Sequence, residues 1–154
     1  MTAGANEAII NTSFAGTGVF VGATAAGVIA PDQLGYLTAA VSIALFVVGC
    51  AAFLWAFALA VSRSRSEDVT IGGIYFLSGT APRVVRFRLL LALGVQIVVA
   101  LAAGVIRVYT PVAFASLVPV FGLGLAGLWG ARHGTFPPRR PEPRPASHSA
   151  AERE

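Results

Sequence analysis

The residues best suited to chemistry are few in this chain, and their spacing matches no familiar catalytic or metal site. The two histidines, His133 and His148, have no cysteine or carboxylate at metal-ligand spacing. The single cysteine, Cys50, lies in an apolar stretch, where a thiol mostly acts as a small apolar side chain. No serine has a visible base to activate it, and no phosphate-binding glycine loop is present. The sequence therefore predicts no enzymatic activity, no metal site and no cofactor.

A second, small group of polar residues lies inside long apolar stretches. Gln96 is the main member, and Thr38 and Ser42 accompany it. An amide in an apolar helix can hydrogen-bond to a neighbouring helix, and such a bond contributes about 0.6 kcal/mol on average. Alternatively, the amide can contact a substrate that passes between helices. The pattern predicts a buried polar residue at Gln96 and leaves both roles open.

Uncharged apolar segments must position these residues. No charged residue lies in 37–61, 89–106 or 110–131. Charged residues make up 12% of the chain, against about 25% in a soluble domain. Uncharged apolar stretches of about 18 residues or more are typical of membrane-spanning helices. The sequence predicts an all-α, polytopic transmembrane helix bundle with four spans, at about 14–30, 37–61, 87–106 and 110–131.

Two prolines indicate where helices begin or bend. Pro82 precedes the third span, and proline is favoured in the first turn of a helix. Pro119 lies near the middle of the fourth span, where it removes one backbone donor. We therefore expect a kink at Pro119, either as a structural feature or as a gating hinge.

Small residues recur at four-residue spacing in the first and last spans. Such stripes allow helices to approach closely in a membrane. The sequence thus predicts helix-packing positions, within the bundle or between protomers, at Gly18, Gly22, Ala26, Gly122, Ala126 and Gly130.

Arginines are concentrated between the second and third spans and after the fourth. Because arginine-rich loops near span ends stay in the cytoplasm, the loop 62–86 and both termini are expected there, with the spans forming two hairpins. The domains expected are a short cytoplasmic N-terminus at 1–13, a transmembrane domain at 14–136 and a disordered, proline- and arginine-rich tail at 137–154. The arginines flank spans instead of forming a basic face, which argues against nucleic-acid binding.

One part of the arginine-rich loop is itself apolar. Residues 69–77 (VTIGGIYFL) are too short to cross a membrane. They are expected to lie along the inner membrane surface or against the helix ends, or to form a re-entrant or docking element. In the last case Arg83, Arg86 and Arg88 would contact anionic lipid headgroups or a partner.

The stretches IYFLSGTAPRVVRFRLL and GLGLAGLWGARHGTFPPR resemble an uncharacterised family of small actinobacterial four-helix integral membrane proteins. The resemblance covers roughly 67–139. It implies a plasma-membrane protein of a Gram-positive bacterium with a GC-rich genome, and it assigns no catalytic residue.

Two functions are compatible with these patterns. The first is a non-enzymatic accessory or scaffold subunit of a membrane assembly, with the lipid bilayer and another membrane protein as partners. The second is a small homo-oligomeric transporter or channel. The second would require Gln96, Thr38 and Ser42 to converge on one lumen.

Overall fold

A computed structural model describes residues 2–139, and the regular secondary structure in that range is helical. The elements are α1 Thr2–Ile29, α2 Pro31–Arg63, α3 Ile71–Tyr75, α4 Arg83–Ile106, a 3-10 helix Pro111–Leu117 and α5 Pro119–His133. The only strand-like pairing within 2–139 is an isolated bridge between Glu67 and Pro138. Met1 and most of the predicted tail, 140–154, lie outside the described residues.

Four helical segments are long and apolar enough to cross a membrane. They are Asn6–Ile29, Pro31–Arg63, Arg83–Ile106 and Pro111–His133. This confirms the predicted all-α class with four apolar helices. Their length and composition are those of a multi-pass membrane protein.

The first helix begins at Thr2, well before the start at residue 14 that the sequence predicts. The polar residues around Ser13 argue against a span from sequence alone. In the fold, however, Ser13 is fully buried. Ile9 and Ile10 also face inward, packed in one cluster with Leu125 and Trp129. Packing against α5 therefore stabilises the helix in residues 2–13, although this segment is only weakly apolar.

The helix α5 lies at the centre of the bundle. It contacts α2 most extensively and also α1, α3 and α4, whereas α2 and α4 make little contact. In the most apolar 18-residue stretch of the last span, 56% of the residues are buried, against 17% in the corresponding stretch of α2. Glycines permit this close packing, because a Cβ at Gly49 of α2 would lie only 2.5 Å from the Cα of Phe121. Likewise, a Cβ at Gly124 would meet the carbonyl oxygen of Gly49.

The fourth span is broken at Pro119. Residues 111–117 form a 3-10 helix, and α5 begins at Pro119. Proline has no N–H to continue a helical ladder, so the chain restarts a helix there. The bend expected at Pro119 is thus a change from 3-10 to α geometry.

One end of the bundle holds the starts of α1 and α4, the ends of α2 and α5, and α3; we call it the basic end. Residues 69–77 lie here against the end of α5, with Ile74 and Tyr75 buried. Thr70 caps α3, since its Oγ1 accepts the Gly73 N–H at 3.1 Å. Residues 134–139 cross the loop, and the Asp68 N–H donates to the carbonyl of Pro137 at 2.9 Å. The first residues of the predicted tail are therefore part of this end.

Candidate functional site

Gln96 is fully buried and joins three helices. Its Nε2 donates to Oγ1 of Thr17 on α1 at 2.7 Å. Its Oε1 accepts the N–H of Gly122 on α5 at 3.1 Å. That N–H lies in the first turn of α5, where the Val118 carbonyl accepts the N–H of Phe121 at 2.8 Å. The Gln96 amide thus uses both of its ends to tie α4 to α1 and α5.

The other interior polar residues are enclosed as well. The Thr38 hydroxyl contacts the Ala23 carbonyl of α1 at 2.7 Å and the Leu34 carbonyl of its own helix at 3.2 Å. Ser42 is fully buried, and its hydroxyl has no hydrogen-bond partner among residues 2–139. Thr38, Ser42 and Gln96 all face the protein interior, where packed side chains surround them.

The two small-residue stripes are used differently. On α5, Gly122, Ala126 and Gly130 are buried. A Cβ at Gly122 would lie 2.6 Å from Oε1 of Gln96, and one at Gly130 would lie 3.0 Å from the Cα of Ile74. These positions accept α4 and α3.

On α1, by contrast, Gly18 and Gly22 are exposed, and nothing lies within 4 Å of a Cβ built on either. Ala26 is half-buried. Between residues 15 and 29, the small residues that α1 exposes are Ala15, Gly18, Gly22 and Ala25, which we call the open face. Their spacing of three and four residues places them along one side of the helix.

A groove borders the open face. It lies between α1 and α4, has a volume of about 330 Å³, and is apolar apart from Thr24. Thr24 is only 2% exposed, and its hydroxyl has no hydrogen-bond partner within the described chain. The spacing of the small residues in the sequence indicates this surface, but no local pattern distinguishes Thr24.

The arginines at the basic end fall into two groups. Arg83, Arg86 and Arg88 are exposed, and in the part of the chain that the structure describes they form no ion pair or hydrogen bond through their side chains. Arg63, which the sequence marks only as the end of a span, has a structural role instead. Its guanidinium donates to the carbonyls of Ala131 at 2.9 Å and Gly134 at 3.0 Å.

Those two acceptors lie at the end of α5, where carbonyl groups lack intrahelical donors. Arg63 also pairs with Glu67 at 2.7 Å and lies over the ring of Phe136. The end of α2 is therefore fastened to the end of α5. At the opposite end of the bundle, Arg107 donates to the carbonyl of Val28 at 2.8 Å.

A cavity of about 490 Å³ with a mixed polar and apolar lining opens at the basic end; we call it the end cavity. Its lining consists of Asn6, Gly79, Thr80, Ala81, Pro82, Trp129, His133 and Thr135. The Trp129 indole N–H donates to Oδ1 of Asn6. Nδ1 of His133 is buried and has no hydrogen-bond partner among residues 2–139.

The sequence predicts few of the residues that line the end cavity. The local signal is that Trp129 and His133, four residues apart, share one side of α5. Their rings lie 5.5 Å apart. Asn6 and Thr80 come from distant parts of the chain, so no local pattern joins them to that pair.

Within residues 2–139 no group of three or more histidine, cysteine, aspartate or glutamate side chains is placed to hold a metal ion. Comparison of the chain with protein-family models, with curated proteins and with solved structures finds no match.

Proposed function

We propose that this protein is a non-enzymatic accessory or scaffold subunit of a plasma-membrane assembly, and that it binds a helix of another membrane protein along the open face of α1. The observation that carries the proposal is the contrast between this face and the rest of the apolar surface. Elsewhere the helices expose large side chains to lipid, among them Val47, Leu54, Phe57, Val98, Leu101 and Val105.

Small residues at this spacing favour helix association in membranes, because they let two backbones approach closely. On α5 the comparable residues are occupied by the chain's own helices, whereas on α1 they are unoccupied. The partner helix is expected to be apolar, because the groove beside the open face is apolar.

We further propose that the basic end faces the cytoplasm, so that residues 2 and 139 both lie on that side and the four spans form two hairpins. Among residues 2–139, Arg107 is the only arginine that belongs to the opposite end. Such an asymmetry favours retention of the arginine-rich end in the cytoplasm.

The alternative, a homo-oligomeric transporter or channel, has less support. It needs Gln96, Thr38 and Ser42 to line a shared lumen, yet all three are enclosed within one protomer. Both polar atoms of the Gln96 amide are already hydrogen-bonded. An ion-coupled carrier would also need ionisable groups inside the spans.

Site-specific photocrosslinking in the native membrane tests the proposal. A photoreactive side chain at Ala25 is expected to crosslink in high yield to one heterologous membrane protein, and Gly22→Leu should abolish that product. The matched control is the same side chain at Val98, an exposed position on α4 that should crosslink mainly to lipid. Crosslinks from Ala25 only to a second copy would contradict the accessory role, and equal yields from both positions would contradict the assignment of the face.

A further inference from the structure

We propose that the end cavity binds a negatively charged phosphate group, borne either by a lipid headgroup or by a small soluble phosphate. This binding site is separate from the open face of α1. The inference does not depend on the proposed partner, since the cavity and the open face are formed by different residues.

The polar groups that line the cavity are suited to donate hydrogen bonds. Oδ1 of Asn6 already accepts from Trp129, so the remaining polar group of Asn6 is its NH₂ donor. Nδ1 of His133 is unpaired and can donate to an oxyanion when it carries a proton. Thr135 adds a hydroxyl that makes only a long, 3.5 Å contact with the Thr80 carbonyl. A buried imidazole nitrogen without a partner is unfavourable, and a phosphate oxygen would satisfy it.

Not every polar group in the lining is free to bind a ligand. The Thr80 hydroxyl donates to the carbonyl of Gly73 at 2.5 Å, and this bond holds the loop in place. The backbone carbonyl of Thr80 accepts from the N–H of Thr135 at 3.1 Å. Thr80 therefore forms part of the wall of the cavity, whereas Asn6, His133 and Thr135 supply the hydrogen-bonding groups of the proposed site.

The charge around the cavity selects an anion over a cation. Among residues 2–139, no carboxylate lines it. Pro82, at its edge, is the N-cap of α4 and provides no side-chain hydrogen bond, so N–H groups of the first turn remain as further donors. Arg83 and Arg86 follow within that turn and the next, and both are exposed. The nearest acidic residue along α1, Glu7, is exposed and is absent from the lining.

The position of the cavity explains why a phosphate is the anion expected. It opens among the helix ends at the basic end, where a membrane protein meets the headgroup layer. Its volume of about 490 Å³ exceeds the size of a bare phosphate and leaves room for a glycerol unit. Ala81, Pro82 and the Trp129 ring give that unit an apolar wall.

Tryptophan fluorescence in a phosphate-free maltoside detergent tests the proposal. Trp55→Phe leaves Trp129, in the cavity wall, as the only tryptophan. Titration with dihexanoyl phosphatidylglycerol and, separately, with inorganic phosphate is expected to give a saturable change in Trp129 emission with at least one of them. Saturation with the lipid alone assigns a lipid headgroup, and saturation with inorganic phosphate assigns a soluble ligand. Dihexanoylglycerol, which lacks the phosphate, should produce no saturable change.

Asn6→Asp is the decisive variant. An aspartate oxygen still accepts from Trp129, but the change removes a donor and adds a negative charge to the cavity. We expect binding to weaken about tenfold or more, because hydrogen bonds to charged groups are among the stronger ones. Gln33→Glu adds the same charge at the opposite end, well beyond the screening length of about 10 Å, and should leave binding within about twofold.

His133→Ala provides an independent check and should weaken binding to a similar extent. The proposal is overturned if neither phosphate probe gives saturation, or if dihexanoylglycerol reproduces the signal. It is equally overturned if Asn6→Asp and His133→Ala both bind as the parent does.

Discussion

The helices α1 and α5 carry similar small-residue patterns and use them in opposite ways. The stripe on α5 is buried under α3 and α4, and Gly124 of the same helix meets the backbone of α2. The stripe on α1 has no neighbour within 4 Å at Gly18 or Gly22. A small-residue pattern therefore indicates that a helix can be approached closely, while the tertiary fold decides whether its own chain does so.

The strongest test of this comparison is Gly49→Leu, at the contact between α2 and α5. The new side chain would collide with the backbone of Phe121, and backbone cannot move aside as a flexible side chain can. We expect the free energy of unfolding to fall by about 3 kcal/mol. This free energy is measured by circular dichroism while mixed micelles are titrated with dodecyl sulfate. Gly18→Leu is the matched control, and equal losses at both positions would show that the two stripes do not differ.

Gln96→Leu should have an intermediate effect. The leucine fills a similar volume but leaves the N–H of Gly122 without its acceptor and the Thr17 hydroxyl without its donor. We expect a loss of about 1–2 kcal/mol in the same unfolding measurement.

A double-mutant cycle with Thr17→Val sharpens that prediction. Because the two side chains bond to each other at 2.7 Å, the double variant should lose less than the sum of the single losses. Additive losses would mean that the hydrogen bond contributes nothing beyond packing.

Gly22→Leu should have the smallest effect on stability. Its Cβ would meet no atom of the chain, so the free energy of unfolding should change by no more than about 0.5 kcal/mol. The same variant is expected to abolish the crosslink from Ala25. Loss of stability comparable to that of Gly49→Leu would mean that the open face of α1 is packed within the protein, and it would remove the basis for the proposed interface.

The sequence predicts the four apolar helices well because their signal is local and strong. It predicts a first span from residue 14, whereas the helix begins at Thr2, because no local pattern shows that Ile9 and Ile10 pack against α5. It also predicts a bend at Pro119, but not that the restart of α5 there would expose the N–H of Gly122 to Gln96. That bond depends on two helices whose relative register no local pattern specifies.

The end cavity is even less predictable from local sequence patterns. Its lining comes from the first turns of α1, from the loop before α4, and from the end of α5 with the segment after it; these three parts are far apart along the chain. Arg63 looks like a simple marker of a span end until the carbonyls at the end of α5 appear beside it. In both cases the residue types are visible in the sequence, whereas their shared location is a property of the fold.

The bond between Gln96 and Gly122 also sets an order for biogenesis. Thr17 has already been synthesised when Gln96 leaves the ribosome, but Gly122 follows 26 residues later. At about 5–20 residues per second, that interval lasts a few seconds at most. During it the amide can pair with α1 but still lacks the donor for its carbonyl oxygen. Arrival of the last span then completes the bundle, so a nascent chain halted before Gly122 would leave the amide with only its NH₂ group hydrogen-bonded.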